Sequence, residues 1–101
     1  MNDFQPSAAL LALRQEIDAL DQELATLLCR RLLLIHRAAP LKPLRENVRL
    51  EDRIEEIIRK VSPLADQFGI ERRYLETIYR FLIEESIARE TREWDKLHQN
   101  G

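Results

Sequence analysis

The chain has 101 residues, 45% hydrophobic and 34% charged, with glycine only at 69 and 101; this is the length of one domain, 1–101, and the composition of a helical protein rather than a disordered one. Sixteen Lys and Arg against eighteen Asp and Glu leave a net charge of −2, so no positive field exists to hold a nucleic-acid backbone or an anionic membrane. Cys29 is the only cysteine, and with His36 and His98 it makes no spaced ligand set, so neither an intramolecular disulfide nor a metal is expected. The start, Asn2-Asp3-Phe4, lacks a basic stretch leading into an apolar run, and no later segment approaches about 18 uncharged apolar residues, which predicts a cytoplasmic protein.

Pro6-Ser7 before Ala8-Ala9-Leu10 predicts a helix capped by Ser7, and neither proline nor glycine follows until Pro40. A helix over 8–39 would run about 48 Å, against a radius of gyration of about 13 Å for a compact domain of this size. Leu10, Leu13, Ile17, Leu20, Leu24, Leu27 and Leu34 alternate three and four apart along it, like a coiled-coil seam with one gap at position 31. Such a seam predicts a homodimer in which the long helices pack on each other. Pro40 and Pro43 bracket Lys42 and define a loop over 40–47. A second helix is predicted from near Val48, with Leu50, Ile54, Ile57 and Val61 as its stripe; Ser62-Pro63 marks a kink or a fresh start, and Gly69 ends the run. The third helix begins around Glu71. It carries two adjacent stripes, Leu75, Ile78 and Leu82 beside Tyr79, Ile83, Ile87 and Trp94, wide enough to bury on two sides. No strand and no internal repeat are predicted, and 98–101 reads as a frayed end.

Five positions stand out against this pattern. Arg31 fills the gap in the seam, and it either snorkels or pairs with a carboxylate, or marks an anion site inside the bundle. Arg14 lies beside the seam, about 25 Å along the helix and about 100° around it from Arg31. One helix cannot bring the two together, whereas a crossed or antiparallel dimer would set Arg14 of one subunit near Arg31 of the other, in two equivalent sites. Taken alone, Arg14 reads as a solvated helix charge. Lys42, in its proline-stiffened loop beside Leu41 and Leu44, could fold over a pocket or be an ordinary loop lysine. Arg53 has Asp52, Glu55 and Glu56 within reach for surface pairing. Glu90 interrupts the third helix's stripe one turn after Ser86. Burial without a cation would keep its carboxyl protonated as a hydrogen-bond donor; alternatively it is partly exposed and paired with Arg89, Arg92 or Arg30.

The stretch Leu10-Leu11-Ala12-Leu13-Arg14-Gln15-Glu16-Ile17-Asp18-Ala19-Leu20-Asp21, then Leu27-Leu28-Cys29-Arg30-Arg31, Lys42, Arg53 and Leu82-Ile83-Glu84-Glu85-Ser86, resembles the all-helical chorismate mutases over nearly the whole chain. The resemblance implies an all-α fold of three helices, one long and two shorter, in an intertwined homodimer. It also implies a small dianionic substrate, rearrangement of chorismate to prephenate, and no cofactor. Carried over by position, Arg14 from the partner subunit and Arg31 would hold the two carboxylates, and Lys42 would contact a carboxylate and the ether oxygen. Arg53 and Ser86 would line the wall, and Glu90 would face the ether oxygen. That reaction is pericyclic and needs no nucleophile, metal or proton shuttle, so catalysis must come from holding a reactive conformer and stabilising charge on the breaking ether bond. A cage of cations does both. A protonated Glu90 would donate to the ether oxygen and an ionised one would repel it, so activity is expected to fall with rising pH and Glu90→Gln to flatten the profile.

Two positions depart from the pattern. Three residues before and one after Arg53, where such mutases carry carboxylates that read the C4 hydroxyl, stand Leu50 and Ile54. The apolar residue after Arg53, and Trp94, resemble the isochorismate pyruvate lyases of the same fold, which make salicylate and pyruvate. Aminodeoxychorismate mutases share the apolar residue, but their Met-Met-Gln-Pro type of segment is absent. Ser86 with its preceding segment resembles the mutases, and Glu51 or Asp52 could reach the hydroxyl. The mutase reading therefore stands first and the lyase second; outside the enzymes stands a catalytically silent helical dimer that binds a partner.

Overall fold

The structure is a computed structural model that describes residues 4–99; the readings made on Asn2-Asp3 and on Asn100 and Gly101 lie outside the described residues. Ser7 caps the first helix as expected, its Oγ accepting the Leu10 N–H at 3.1 Å. Helix α1 then runs Ala8–Ala38 without a break, about 46 Å at 1.5 Å per residue. The chain divides into two compact units, Met1–Leu33 and Leu34–Gly101, with α1 passing from one into the other.

The first unit is the greater part of α1. None of that helix's residues is buried, and Leu13, Ile17, Leu20, Leu24 and Leu27 of the seam are each more than half exposed. The seam read from the sequence is therefore uncovered in the single chain.

The second unit holds the core. At Ala38 the α-helix gives way to a 3-10 turn, Ala39–Leu41, because Pro40 offers no N–H to continue the ladder. Lys42 follows in an extended conformation (φ −95°, ψ 117°), its N–H on the Ala39 carbonyl at 3.1 Å. Pro43 disfavours the helical alternative for that residue. A second 3-10 turn, Arg45–Val48, is closed reciprocally: Asn47 N–H donates to the Leu44 carbonyl at 2.9 Å and Leu44 N–H to Asn47 Oδ1 at 3.0 Å. The predicted loop over 40–47 is thus largely two tight turns.

Helix α2 is Glu51–Val61, three residues later than its expected start. Val48 belongs to the preceding turn, and Arg49 and Leu50 are extended, with the Leu50 carbonyl accepting the Ile54 N–H at 3.1 Å. The stripe is corrected accordingly. Leu50 is exposed outside the helix, and Ile54 and Ile58 are the buried members at 6% and 5% exposure. Ser62-Pro63 produces a change of helix type, a 3-10 segment Ser62–Phe68. Gly69 ends it at φ +65°, with its own N–H on the Asp66 carbonyl at 3.2 Å and the Ile70 N–H on the Ala65 carbonyl at 3.1 Å.

Helix α3, Arg72–Leu97, starts one residue after Glu71 as expected. Of its two stripes, Tyr79, Ile83 and Ile87 close the core on Ile54, Ile57 and Ile58, whereas Ile78 of the other stripe is exposed, as are Tyr74 and Phe81. The described residues form an all-α fold of three helices, one of them long, joined by 3-10 turns, and no strand occurs among them. No helix of the described residues is long and apolar enough to cross a membrane.

Candidate active site

The 3-10 turn after α1 delivers Lys42 to α3. Its Nζ donates to Glu90 Oε2 at 2.7 Å, and Glu90 is only 6% exposed. A carboxylate that deep needs a cation or a donor beside it, because desolvation otherwise penalises its charge. The partner is Lys42, 48 residues away in sequence, and none of the neighbouring arginines considered for it; Arg89 pairs instead with Glu85 at 3.0 Å. Ser86 is buried one turn earlier on the same face of α3, its Oγ donating to the Leu82 carbonyl at 2.8 Å.

Further along α3, Trp94 Nε1 donates to the Lys42 carbonyl at 2.9 Å. His98 stacks on the Trp94 ring, with centroids 3.6 Å apart and planes 15° from parallel, and its Nδ1 is 2.8 Å from the Trp94 carbonyl. Beside them Arg45 holds both oxygens of Asp95, at 2.8 and 3.1 Å. That hydrogen bonding, with the Arg45 charge, keeps the Asp95 carboxyl below its usual range. The segment from Lys42 to Arg45 is therefore fastened to α3 by Glu90, Trp94 and Asp95.

Arg53 lies on the exposed side of α2, its Nη1 on Glu56 Oε1 at 2.6 Å, the kind of surface pairing its neighbours in sequence allow. Leu50, Asp52, Arg53, Glu56 and Arg59 line a shallow cleft there. Ile54, the residue after Arg53, turns away from it into the core with Ile58 and Ile83. Glu51 is held by Arg49 at 2.8 Å, and the same guanidinium reaches Glu84 of α3 at 2.8 Å. In the first unit, Arg14 is exposed and lies seventeen positions before the half-buried Arg31 on α1, about 25 Å apart along the axis.

Of the residues singled out from sequence, Lys42, Ser86 and Glu90 come together on one face of α3, and Arg53 stands on its own cleft with Leu50. Trp94's hold on the Lys42 carbonyl went unread, as did the Arg45–Asp95 and Arg49–Glu84 pairs. A signal existed for the first: a tryptophan within an apolar stripe must still find an acceptor for its indole N–H.

The family model for chorismate mutase type II matches residues 13–91, more than three-quarters of the chain. The chain belongs to that family. No curated protein matches it. The matched segment runs from just before Arg14 to just after Glu90 and takes in Arg31, Lys42, Arg53 and Ser86. Membership makes the chain an isomerase of aromatic biosynthesis that converts chorismate to prephenate.

Proposed function

We propose that this chorismate mutase works as an intertwined homodimer with two sites, each combining Lys42, Glu90, Ser86, Arg53 and Arg31 of one subunit with Arg14 of its partner. The arginines grip the two carboxylates, in keeping with the bidentate geometry of guanidinium and carboxylate. Lys42 and Glu90 face the ether oxygen, where negative charge grows as the bond breaks. The substrate is held in its reactive conformer and no cofactor takes part. The observation that carries this reading is the 2.7 Å contact of Lys42 Nζ with buried Glu90 Oε2. The uncovered seam of α1 supports the dimer.

A second reading, isochorismate pyruvate lyase, is favoured by one observation: Leu50 and Ile54 offer no carboxylate to a C4 hydroxyl, and Ile54 is committed to the core. Asp52 and Glu56 on the Arg53 cleft speak for the mutase, since either can accept from a hydroxyl. Incubation with chorismate and, separately, with isochorismate, resolving prephenate, salicylate and pyruvate by chromatography, decides between them. Prephenate from chorismate is the expected outcome; salicylate with pyruvate, and no prephenate, would transfer the chain to the lyases.

A further inference from the structure

Lys42 is tied to α3 at two points. Its ammonium meets Glu90 at 2.7 Å and its main-chain carbonyl accepts the Trp94 indole N–H at 2.9 Å. Glu90 and Trp94 are four residues apart, which places them on one face of successive helical turns. A lysine side chain is a flexible four-carbon stem, so the position of its ammonium depends on how firmly its main chain is held. Here the Lys42 N–H is fixed on Ala39 and the backbone is extended ahead of Pro43. The carbonyl is the remaining group, and Trp94 holds it. His98, stacked on the indole and bonded to the Trp94 carbonyl, limits the tilt of that ring. Packing alone would be served by any ring of similar size; the N–H directed at the Lys42 carbonyl is the part that packing does not require.

We infer that Trp94 is a positioning residue for Lys42, its indole N–H fixing the main chain so that the ammonium is presented at Glu90. Trp94 and His98 both lie beyond the 13–91 segment that carries the family pattern. The inference rests on the reading of Lys42 as a group that touches substrate.

Trp94→Phe keeps a ring and removes only the donor. In steady-state kinetics with chorismate, the purified full chain carrying it should lose about three- to ten-fold in kcat/KM, the worth of one hydrogen bond. Most of that loss should fall on kcat rather than KM, with the thermal midpoint and helical dichroism close to wild type. In a Lys42→Ala background the same change should alter kcat/KM by less than about two-fold, because a residue acting through Lys42 has nothing left to position. Equal losses in the two backgrounds, or wild-type kinetics for Trp94→Phe, overturn the inference, since a merely structural tryptophan would act independently of Lys42. Full turnover by Lys42→Ala alone would overturn the assignment of Lys42, and the positioning role with it, before Trp94 is touched. Should Lys42→Ala fall to the uncatalysed rate, Lys42→Gln, which keeps a side chain but has no ammonium to present, supplies the background. Should Trp94→Phe not fold, His98→Ala, which frees the indole to tilt, is expected to show the same pattern of loss in one background only.

Discussion

Arg49 bridges two helices by holding Glu51 and Glu84 at once, each at 2.8 Å. It is one of a set of exposed pairs that fasten α3 to the rest of its unit, with Arg80–Glu55, Arg72–Asp66 and Arg45–Asp95. In each, hydrogen bonds from the arginine hold the carboxyl of Glu84, Glu55, Asp66 or Asp95 below its usual range. A carboxyl that is a stronger acid in the folded chain stabilises the fold above its unfolded pKa, and that contribution disappears as pH falls through the lower folded value. The thermal midpoint is therefore expected to stay level from neutral pH down to about 5 and to drop below about pH 4. Arg80→Met should shrink that drop. A midpoint unchanged between mildly and strongly acid solution would contradict the assignment.

Removing the partner of Lys42 tests the pair directly. Glu90→Ala leaves an ammonium facing a buried gap and is expected to lower stability by about 1.5–3 kcal/mol in urea unfolding, with Glu90→Gln costing less because its amide oxygen still accepts. In the kinetics, Glu90→Gln keeps an amide oxygen for the Lys42 ammonium and an N–H that can donate, and is expected to retain more of the kcat/KM for chorismate than Glu90→Ala. Wild-type kcat/KM for both variants would remove Glu90 from the ether oxygen.

Subunit mixing tests the shared site. Arg14→Ala and Lys42→Ala are each expected to be nearly inactive. If Arg14 crosses to the partner's site, a mixed dimer of the two variants has one site with both residues intact, so equilibrated mixtures should regain about a quarter of wild-type activity per site. Mixtures no more active than their components would place Arg14 and Lys42 in the same subunit's site or dismiss the dimer. Light scattering, expected to give twice the 12.0 kDa chain mass, separates those two outcomes.

The core and its end-stop make smaller predictions. Ile83, 4% exposed among Ile54 and Ile58, should cost about 2–4 kcal/mol when cut to alanine, measured by chemical unfolding. Gly69→Ala should cost about 1 kcal/mol. No atom lies within 4 Å of the added Cβ, so the penalty is that of a positive φ alone.

Much of the helical plan was legible because it depends on local chemistry: the hydroxyl of Ser7, the missing N–H of Pro40, the left-handed turn at Gly69. The start of α2 was misjudged because Leu50 has the right period to belong to the stripe, while two extended residues, Arg49 and Leu50, look like any others in a periodicity count. Glu90 stood out as a polar residue in an apolar row, but its partner did not. Periodicity reports which face a residue occupies and nothing about which distant residue comes to meet it; the family resemblance set Lys42 and Glu90 at one ether oxygen, and the direct ion pair across 48 residues is what neither expressed. Ile54 shows what periodicity does report. Its period put it on the apolar stripe of the second helix, and it does lie in the core.

Trp94 is the only tryptophan in the chain, and its indole nitrogen touches the carbonyl of Lys42. The protein thus carries one indole, which can be excited at wavelengths where Tyr74 and Tyr79 barely absorb, wired to the turn that bears Lys42. Any shift of that turn, on ligand binding or on unfolding, changes the surroundings of that indole and can be timed in a stopped-flow instrument with no label attached.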